Sequence, residues 1–552
     1  MGTLWKQLVI VMGRYRSTAA ERAFLRHLRR PAPQSAQPKS IVLVETIEDH
    51  YYFVLLALIV QGIAQRLPIE ARQIVSRSLR PGSARSPYHA LKSLLYYNRL
   101  TDNKWARLYA GFCSSIAYRS VARSISWSSA VALRNAWRIW RNIESKEALV
   151  ELTVSGVKLG DLIYDTYVRF RPAKTVNLKS LYLWVVIWQA LRELRTATDY
   201  MFSVKPQMLL TNYSCYIQHG IAARVAVSAG VRVITFGNYQ SLYKQLSALD
   251  MAHTQNPDDY RSGFARLDNA QGKLAEAESA LAARMAGKID LATAYMRRSA
   301  YAGGAELPPG ISGSPVLFLH DFFDSPHCYQ WMIFPDFWEW ATFTLSLARR
   351  AGIKLFVKPH PNQLESSESI VAKLRKDYPE AVWLSTDTSN AQLAAAGAAC
   401  AITVYGTVAH EMAYLGIPSI SAGHNPHIAF EFAHTARSRE EYARLIEDYR
   451  SLRDSPEKMR RESLEFYCMH NLRSDTQQRS LRELILGFRA LVNDNGGTLR
   501  EAAELLTFAK RLEADPAYQQ ACAELAALLR DTRAGNPAPA REALVLGQVA
   551  SG

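Results

Sequence analysis

Four stretches in the second half of the chain place polar side chains directly after short apolar runs. "LFLHDFFDSPH" carries His320, Asp321, Asp324, Ser325 and His327; "FVKPHPN" supplies Lys358, His360 and Asn362; "WLSTDTSN" adds Ser385, Thr386 and Asp387; "VYGTVAHE" adds Tyr405, Gly406, Thr407 and Glu411. An apolar run that ends in such residues reads as a buried parallel strand whose carboxyl end opens on a ligand crevice. Thr407 and the N–H groups after Gly406 stand at the start of a helix expected over 408–415, and a helix start attracts phosphate. Gly406 lets the backbone come close to a ligand. Glu411, one turn further on, is spaced to accept two hydroxyls of a ribose. Lys358 and His360 bring positive charge to the same phosphate, and the prolines on either side of His360 stiffen the loop. Together these residues describe a nucleotide cradle that uses no metal ion. Taken singly, each has a plainer reading: a Gly-Thr at a helix start caps it, and an Asp after a strand turns the chain. Their appearance in chain order on successive strands is what favours the cradle.

A cradle of this kind requires a parallel sheet beneath it. From 315 onward apolar runs alternate with helical patterns: "PVLFLH" then "FWEWATFTLSLARRAG", "IKLFVK" then "SESIVAKLRKDYP", "AVWLS" then "NAQLAAAGA", "ACAITVY" then "VAHEMAYLG", and last "IPSISAG". This alternation predicts a parallel sheet with helices on both faces. The first half has a sparser version. "IVLVE" at 41–45 reads as a strand, 50–66 as a helix and "RQIV" as the next strand; after a long helical middle come "PQMLLTNY", a helix within 215–230, and "VRVITFG". The expected fold class is α/β, with two Rossmann-like domains facing across a cleft and extra helices at both termini. The expected boundaries are a basic segment and Pro/Ser/Gln linker over 1–39, a Rossmann-like domain with a helical insertion over 40–310, a second over 311–450, and C-terminal helices with a tail over 451–552.

The totals agree with two lobes. A chain of 552 residues is too long for one core, and 48% hydrophobic with 21% charged residues describes a folded protein. The net charge of +16 calls for an anionic partner: nucleic acid, acidic lipid or a phosphorylated substrate. Basic residues gather at Arg14 to Arg30 and along the helical-looking stretch from Arg119 to Arg141, which also holds Trp127, Trp137 and Trp140. Basic charge interleaved with aromatics suits an anionic membrane surface; a solvated helix face whose tryptophans are core is the competing reading. No nucleic-acid motif appears, so no nucleic-acid partner is expected. The six cysteines are far apart without C-x-x-C spacing, so neither a disulfide framework nor a metal site nor a cofactor is expected, and a reducing cytoplasm fits. The longest apolar run, "YYFVLLALIV", is about half of a membrane span, and no cleavage site follows the N-terminal "LVIVM".

The segment from about 313 to 435, with K-P-H-P and a later Thr-x-x-x-Glu before G-x-P, resembles the C-terminal half of the GT-B glycosyltransferases of bacterial surface polysaccharides. Within that group it is most similar to the capsule-type β-Kdo transferases, which use CMP-Kdo. "HDFFDS" is similar to their Gln-rich strand end, with His320 where the group has Gln. The resemblance implies a retaining transferase with Asp324 as nucleophile, Ser325 beside it, Asp321 as the competing position, Lys358, His360 and Thr407 at the phosphate, and Glu411 at the ribose. It implies as partners a nucleotide sugar, best represented by CMP-Kdo, and a glycolipid or growing polysaccharide acceptor at the inner face of the plasma membrane. In the first half, "GVKLGDLIYDTYVRF" and "TNYSCYIQHGIAARVAVSAG" look like acceptor-side motifs of the same enzymes. Asp161, Asp165 and His219 are the candidates there for the second acid or base; helix capping and a structural histidine are the plainer readings. Two rival enzymes fit the same cradle: an inverting GT-B transferase with another nucleotide sugar, and a teichoic-acid-type CDP-polyol phosphotransferase.

Overall fold

The computed structural model describes residues 16–28, 39–75, 104–120, 127–170, 173–236, 242–254, 257–287, 304–361, 365–452, 455–472, 476–495 and 501–531. Arg14, most of the 1–39 segment's linker, Asn362 and the side chain of Trp127 lie outside the described residues.

Runs of residues buried on both faces, such as Val42–Val44, Leu209–Leu210, Val316–Leu317 and Ala401–Ile402, build two six-stranded sheets rather than the alternating pattern of a half-exposed one. The strands of these sheets are numbered in chain order. The first sheet holds β1 (Ser40–Glu45), β2 (Ile69–Val75), β3 (Ser115–Arg119), β4 (Met208–Thr211), β5 (Arg232–Phe236) and β6 (Tyr243–Leu246). Their order is β3-β2-β1-β4-β5-β6, parallel except that β6 runs against β5. The second holds β7 (Pro315–Phe318), β8 (Phe356–Lys358), β9 (Val382–Trp383), β10 (Cys400–Thr403), β11 (Ser419–Ser421) and β12 (Ala433–Thr435). Its order is β9-β8-β7-β10-β11-β12, parallel throughout. The connections change direction between β1 and β4 in one sheet and between β7 and β10 in the other, and a crevice opens beyond the carboxyl ends at each reversal. The two Rossmann-like sheets face one another there, which is the GT-B architecture.

Three strands of these two sheets escape the sequence pattern, as does the short antiparallel hairpin of Thr153–Val154 with Val157–Lys158. Arg119, expected to begin a basic helix, ends β3, and the helix starts at Trp127. β6 and β12 are four and three residues long, too short to show a period. The helix expected within 215–230 opens instead with a π turn, Tyr216–Gly220, before the α-helix Ile221–Ser228.

The apolar helix His50–Ala64 is capped by Asp49, whose carboxylate accepts from Tyr51 and Tyr52 N–H. It is buried on every side because the helices Ala502–Ala514 and Pro516–Arg530 cover the face turned away from the sheet. Tyr518 donates to Leu58 O at 2.7 Å, and at Gly62 any β-carbon would collide with Cys522 Sγ and Tyr518 Oη. The helices Tyr260–Ala265 and Ala270–Met285 pack instead against Pro456–Tyr467, with Phe264, Leu281 and Tyr467 in the join.

The helix Gly160–Phe170 makes close contacts with the second lobe, flanked by the ion pairs Lys146–Glu339 and Glu147–Arg439 from the preceding segment. Adjacent residues offer Tyr164, which donates to Asp336 Oδ2 at 2.5 Å, and Asp165, 2.6 Å from His327 Nδ1, and one turn on Arg169 donates to Phe323 O at 3.1 Å. Those partners lie on the loop after β7, so the carboxyl ends of both sheets meet along this helix.

Candidate functional site

β7, β8 and β10 deliver Lys358, His360, Gly406, Thr407 and Glu411 to one small cavity of about 100 Å³, with His320, Thr403 and Asn390 in its wall. The last residue of β8, Lys358, is 4% exposed, so its ammonium is held out of bulk water. Burial draws its pKa down to about 8, against the opposing charges of Glu411 and Asp387. His360 is likewise pushed down by burial, with Asp321 opposing. Glu411 is buried and accepts from Asn390 Nδ2 at 2.6 Å, which fixes the carboxylate in the wall. Gly406 is required by space: a β-carbon there would stand 2.8 Å from Thr403 Oγ1, the atom to which Gly406 N–H donates at 3.2 Å. Thr407 is exposed and makes no side-chain cap on the helix Val408–Tyr414, which leaves its hydroxyl to the cavity.

His320 serves the frame rather than the charge. Its Nε2 accepts from Val404 N–H at 3.2 Å and lies 3.1 Å from Thr403 Oγ1, while its ring stacks on Phe337 at 4.7 Å. Burial, aided by His360, drives its pKa down to about 3, so the ring is neutral at physiological pH. Tyr405 leans on the same ring and donates to Ser325 O at 2.9 Å, tying the loop after β10 to the loop after β7. Asp321 is engaged in that loop: its Oδ1 accepts from Phe323 N–H at 3.0 Å and from Ser367 Oγ at 2.9 Å.

A second pocket, of about 420 Å³, lies between the lobes. Its first-lobe wall comes from the residues after β1 (Thr46, Ile47, Glu48), from those after β4 (Tyr213, Tyr216, Gln218, His219) and from Arg169; its second-lobe wall is Asp324. Asp324 is exposed to this pocket, and the two candidate aspartates are thereby distinguished by place: Asp321 is tied into the loop and Asp324 faces the gap. Removal from bulk solvent raises the Asp324 pKa, and Arg169 opposes that rise. Ser325, buried beside it, reaches Cys215 and Tyr216 of the other lobe.

His219 faces Asp324 across this pocket and has a fixed ring. Its Nδ1 lies 2.6 Å from Glu45 Oε1, and the other oxygen of Glu45 accepts from Thr211 Oγ1. Glu45, the last residue of β1, is buried, so its carboxylate holds the histidine in the tautomer that donates from Nδ1 and leaves Nε2 as acceptor. The π turn Tyr216–Gly220 positions the ring, with Tyr216 in the left-handed region at φ 62°. Strain of that kind and π turns both gather at functional sites.

Asp161 does not join this group. Arg224 grips both of its oxygens, at 2.7 and 2.5 Å, and the pair lines a separate cavity of about 490 Å³, also walled by both lobes, with His327 to Trp331 on the second-lobe side. Asp165 is paired with His327. Glu45 and Arg169 were not among the residues singled out from the sequence; the acid ending "IVLVE" was the one local signal. Among the described residues no group of three His, Cys, Asp or Glu side chains could hold a metal ion, and no helix is long and apolar enough to cross a membrane.

No family model matches the chain, and no curated protein matches it. Among solved structures, the UDP-GlcNAc 2-epimerase of Methanocaldococcus jannaschii is similar over 76% of this chain and 94% of its own, at 9% identity and a TM-score of 0.25. Os79 from O. sativa, in complex with UDP, matches over 89% and 100% at 14% identity and a TM-score of 0.21. Medicago truncatula UGT71G1, complexed with UDP-glucose, matches over 83% and 98% at 9% identity and a TM-score of 0.24. At such identities and scores these likenesses carry no statement about substrate.

Proposed function

We propose that the protein is a glycosyltransferase that takes a sugar from a nucleotide bound in the second-lobe cradle and passes it to an acceptor hydroxyl in the interlobe pocket. The observation that carries this reading is the oriented pair Glu45–His219 on one wall of that pocket with Asp324 on the other. A histidine fixed by a carboxylate is the arrangement of a general base, and a carboxylate opposite it is the arrangement of a nucleophile or charge stabiliser. Lys358, His360 and the backbone at Gly406–Thr407 take the phosphate, and Glu411, held by Asn390, takes the ribose hydroxyls.

In the retaining form of the reaction, Asp324 attacks the anomeric carbon while the bond to the phosphate oxygen breaks and its electron pair leaves with the nucleotide. His219 Nε2 then takes the proton of the acceptor hydroxyl, whose oxygen displaces the Asp324 carboxylate. The donor best suited is CMP-Kdo, on the resemblance of residues 313–435 and because Arg169 puts a cation beside Asp324 where a sugar carboxylate fits. The acceptor is then a lipid-linked or growing surface polysaccharide at the inner face of the plasma membrane. A second reading, favoured by the fixed ring of His219, is a single displacement with inversion in which that base alone activates the acceptor.

A thermal-shift screen of CMP, UDP, GDP and CDP-glycerol, followed by transfer assays with the matching sugar donors, tests the proposal. Stabilisation by CMP together with transfer from CMP-Kdo supports it in full. Stabilisation by CDP-glycerol with release of CMP identifies the polyol-phosphate alternative, and no response to any nucleotide defeats the cradle. The anomeric configuration of the product, read by NMR, separates the two displacement routes.

A further inference from the structure

Five large apolar side chains stand exposed among the described residues, and three of them, Val131, Trp137 and Leu181, belong to two helices packed on each other. The helix Trp127–Asn142 turns Ala136 and Ile139 inward, yet leaves Trp137 42% exposed on its outer side beside Arg134 and Arg138. Leu181, 61% exposed, opens the helix Leu181–Val204 one turn before Trp184, whose ring meets Trp137 edge to face at 5.3 Å. The indoles of Trp184 and Trp140 have inward partners, Leu133 O and Leu178 O, so these two rings brace the patch while Trp137 tops it.

Charge selects what covers this face. No Asp or Glu occurs between 127 and 142 or between 173 and 189, whereas Arg134, Arg138, Arg141 and Lys179 are exposed around the apolar tip. A protein interface excludes charge from its core, and single-stranded nucleic acid is gripped by stacking successive bases on a row of aromatic rings, whereas Trp137 is the exposed ring here. An anionic bilayer takes both components, with arginines at headgroup depth and an indole at the boundary of the acyl region.

We propose that the face built by the helix Trp127–Asn142 and the start of Leu181–Val204 docks the protein on an anionic lipid surface, with Trp137 and Leu181 as the inserted side chains. No residue of this face lines the cradle or the interlobe pocket, so the inference serves the transferase reading, whose acceptor would wait at the same surface, without resting on it.

Co-sedimentation of the full chain with sucrose-loaded vesicles tests it, using phosphatidylcholine alone and an equal mixture with phosphatidylglycerol. The wild type is expected to sediment with the mixed vesicles only, and less as salt is added. Each reversed charge should weaken partition about fivefold, so Arg134→Glu with Arg138→Glu should lose more than about tenfold. Trp137→Ala with Leu181→Ser, all at exposed positions, should lose a similar factor, whereas Arg266→Glu on the other lobe should not. Calorimetric titration of CMP into the same variants should be unchanged, which separates failure of the surface from failure of the nucleotide site. Unaltered sedimentation of both double variants overturns the proposal. So does a wild-type dimer in equilibrium ultracentrifugation that these variants dissociate, because the face would then be covered by a second copy.

Discussion

Glu45 and His219, separated by 174 positions in the chain, meet at 2.6 Å beyond the carboxyl ends of two adjacent strands, β1 and β4. The buried carboxylate fixes which ring nitrogen carries the proton and stabilises the imidazolium that forms when His219 takes another. Glu45→Gln retains an acceptor for Nδ1–H but removes that charge. Transfer should fall by about 10²–10⁴-fold, within the range that a positioned acid–base group supplies. Nucleotide affinity, set in the other lobe, should hold. Steady-state rates with calorimetry on the same preparation check this, and a proportional loss of both would make Glu45 a folding residue only.

Lys358 gives a pH signature. Its pKa is drawn down to about 8 by burial, so the empty cradle holds an ammonium below that value and a neutral amine above it. A phosphate binds the ammonium, so affinity for CMP should be full at lower pH and decline as pH rises through about 8. Lys358→Met should bind weakly at all pH values and show no such decline. Titrations across this range decide it; a wild-type profile that stays flat would take Lys358 out of the phosphate site.

Asp324 and Glu411 should separate chemistry from binding. Asp324→Ala should abolish transfer and leave CMP binding intact, because Asp324 faces the interlobe pocket and not the cradle. Glu411→Gln keeps the side-chain volume and an acceptor for Asn390 but loses the charge offered to two hydroxyls. Hydrogen bonds to a charged group are worth about 1.5–3 kcal/mol, so CMP should bind roughly tenfold to a hundredfold more weakly. A 2′-deoxy nucleotide should be discriminated less by the variant than by the wild type. Equal losses of binding in both variants would dissolve the distinction.

Much of this was legible locally, and the remainder was not for definite reasons. Lys358, His360, Gly406, Thr407 and Glu411 could be grouped from the sequence because each follows a buried strand, and a parallel sheet brings consecutive strand ends to one edge. Glu45 and Arg169 could not be paired with their neighbours, because that required knowing that β1 lies beside β4 and that the helix Gly160–Phe170 abuts the loop after β7. Asp161 and Asp165 read as a pair at helical spacing, and they do share one helix. Their partners, Arg224 and His327, come from other elements and were invisible to that spacing. The C-terminal helices are legible as helices, but what they pack on lies more than 400 positions away in the chain; they cover the apolar helix His50–Ala64, which holds the longest hydrophobic run.

The pair Asp165–His327 joins the lobes at 2.6 Å and should make their union depend on pH. Burial alone would push His327 down; the carboxylate of Asp165, with Asp161 behind it, outweighs burial and holds the imidazole above its usual range. Lys158 opposes, and Asp161 is itself neutralised by Arg224. A histidine whose folded pKa is raised contributes stability that is fully present below its unfolded value, about 6.5, and is lost as pH rises through the folded value. The margin by which the wild type outmelts His327→Gln should therefore shrink as pH rises above about 6.5. This difference isolates the pair, because His320 and His360, held below their usual range by burial, add a slope of the opposite sign. Asp165→Asn should flatten the pair's slope and destabilise the chain by about 3–5 kcal/mol, the usual result of leaving one partner of a buried pair alone. His327→Gln keeps a donor but leaves the buried Asp165 carboxylate without its cation, so it should flatten the slope at a loss of the same order. A melting difference between wild type and His327→Gln that does not change between pH ~6 and pH ~8 would show that the proton between these two side chains plays no part in holding the lobes.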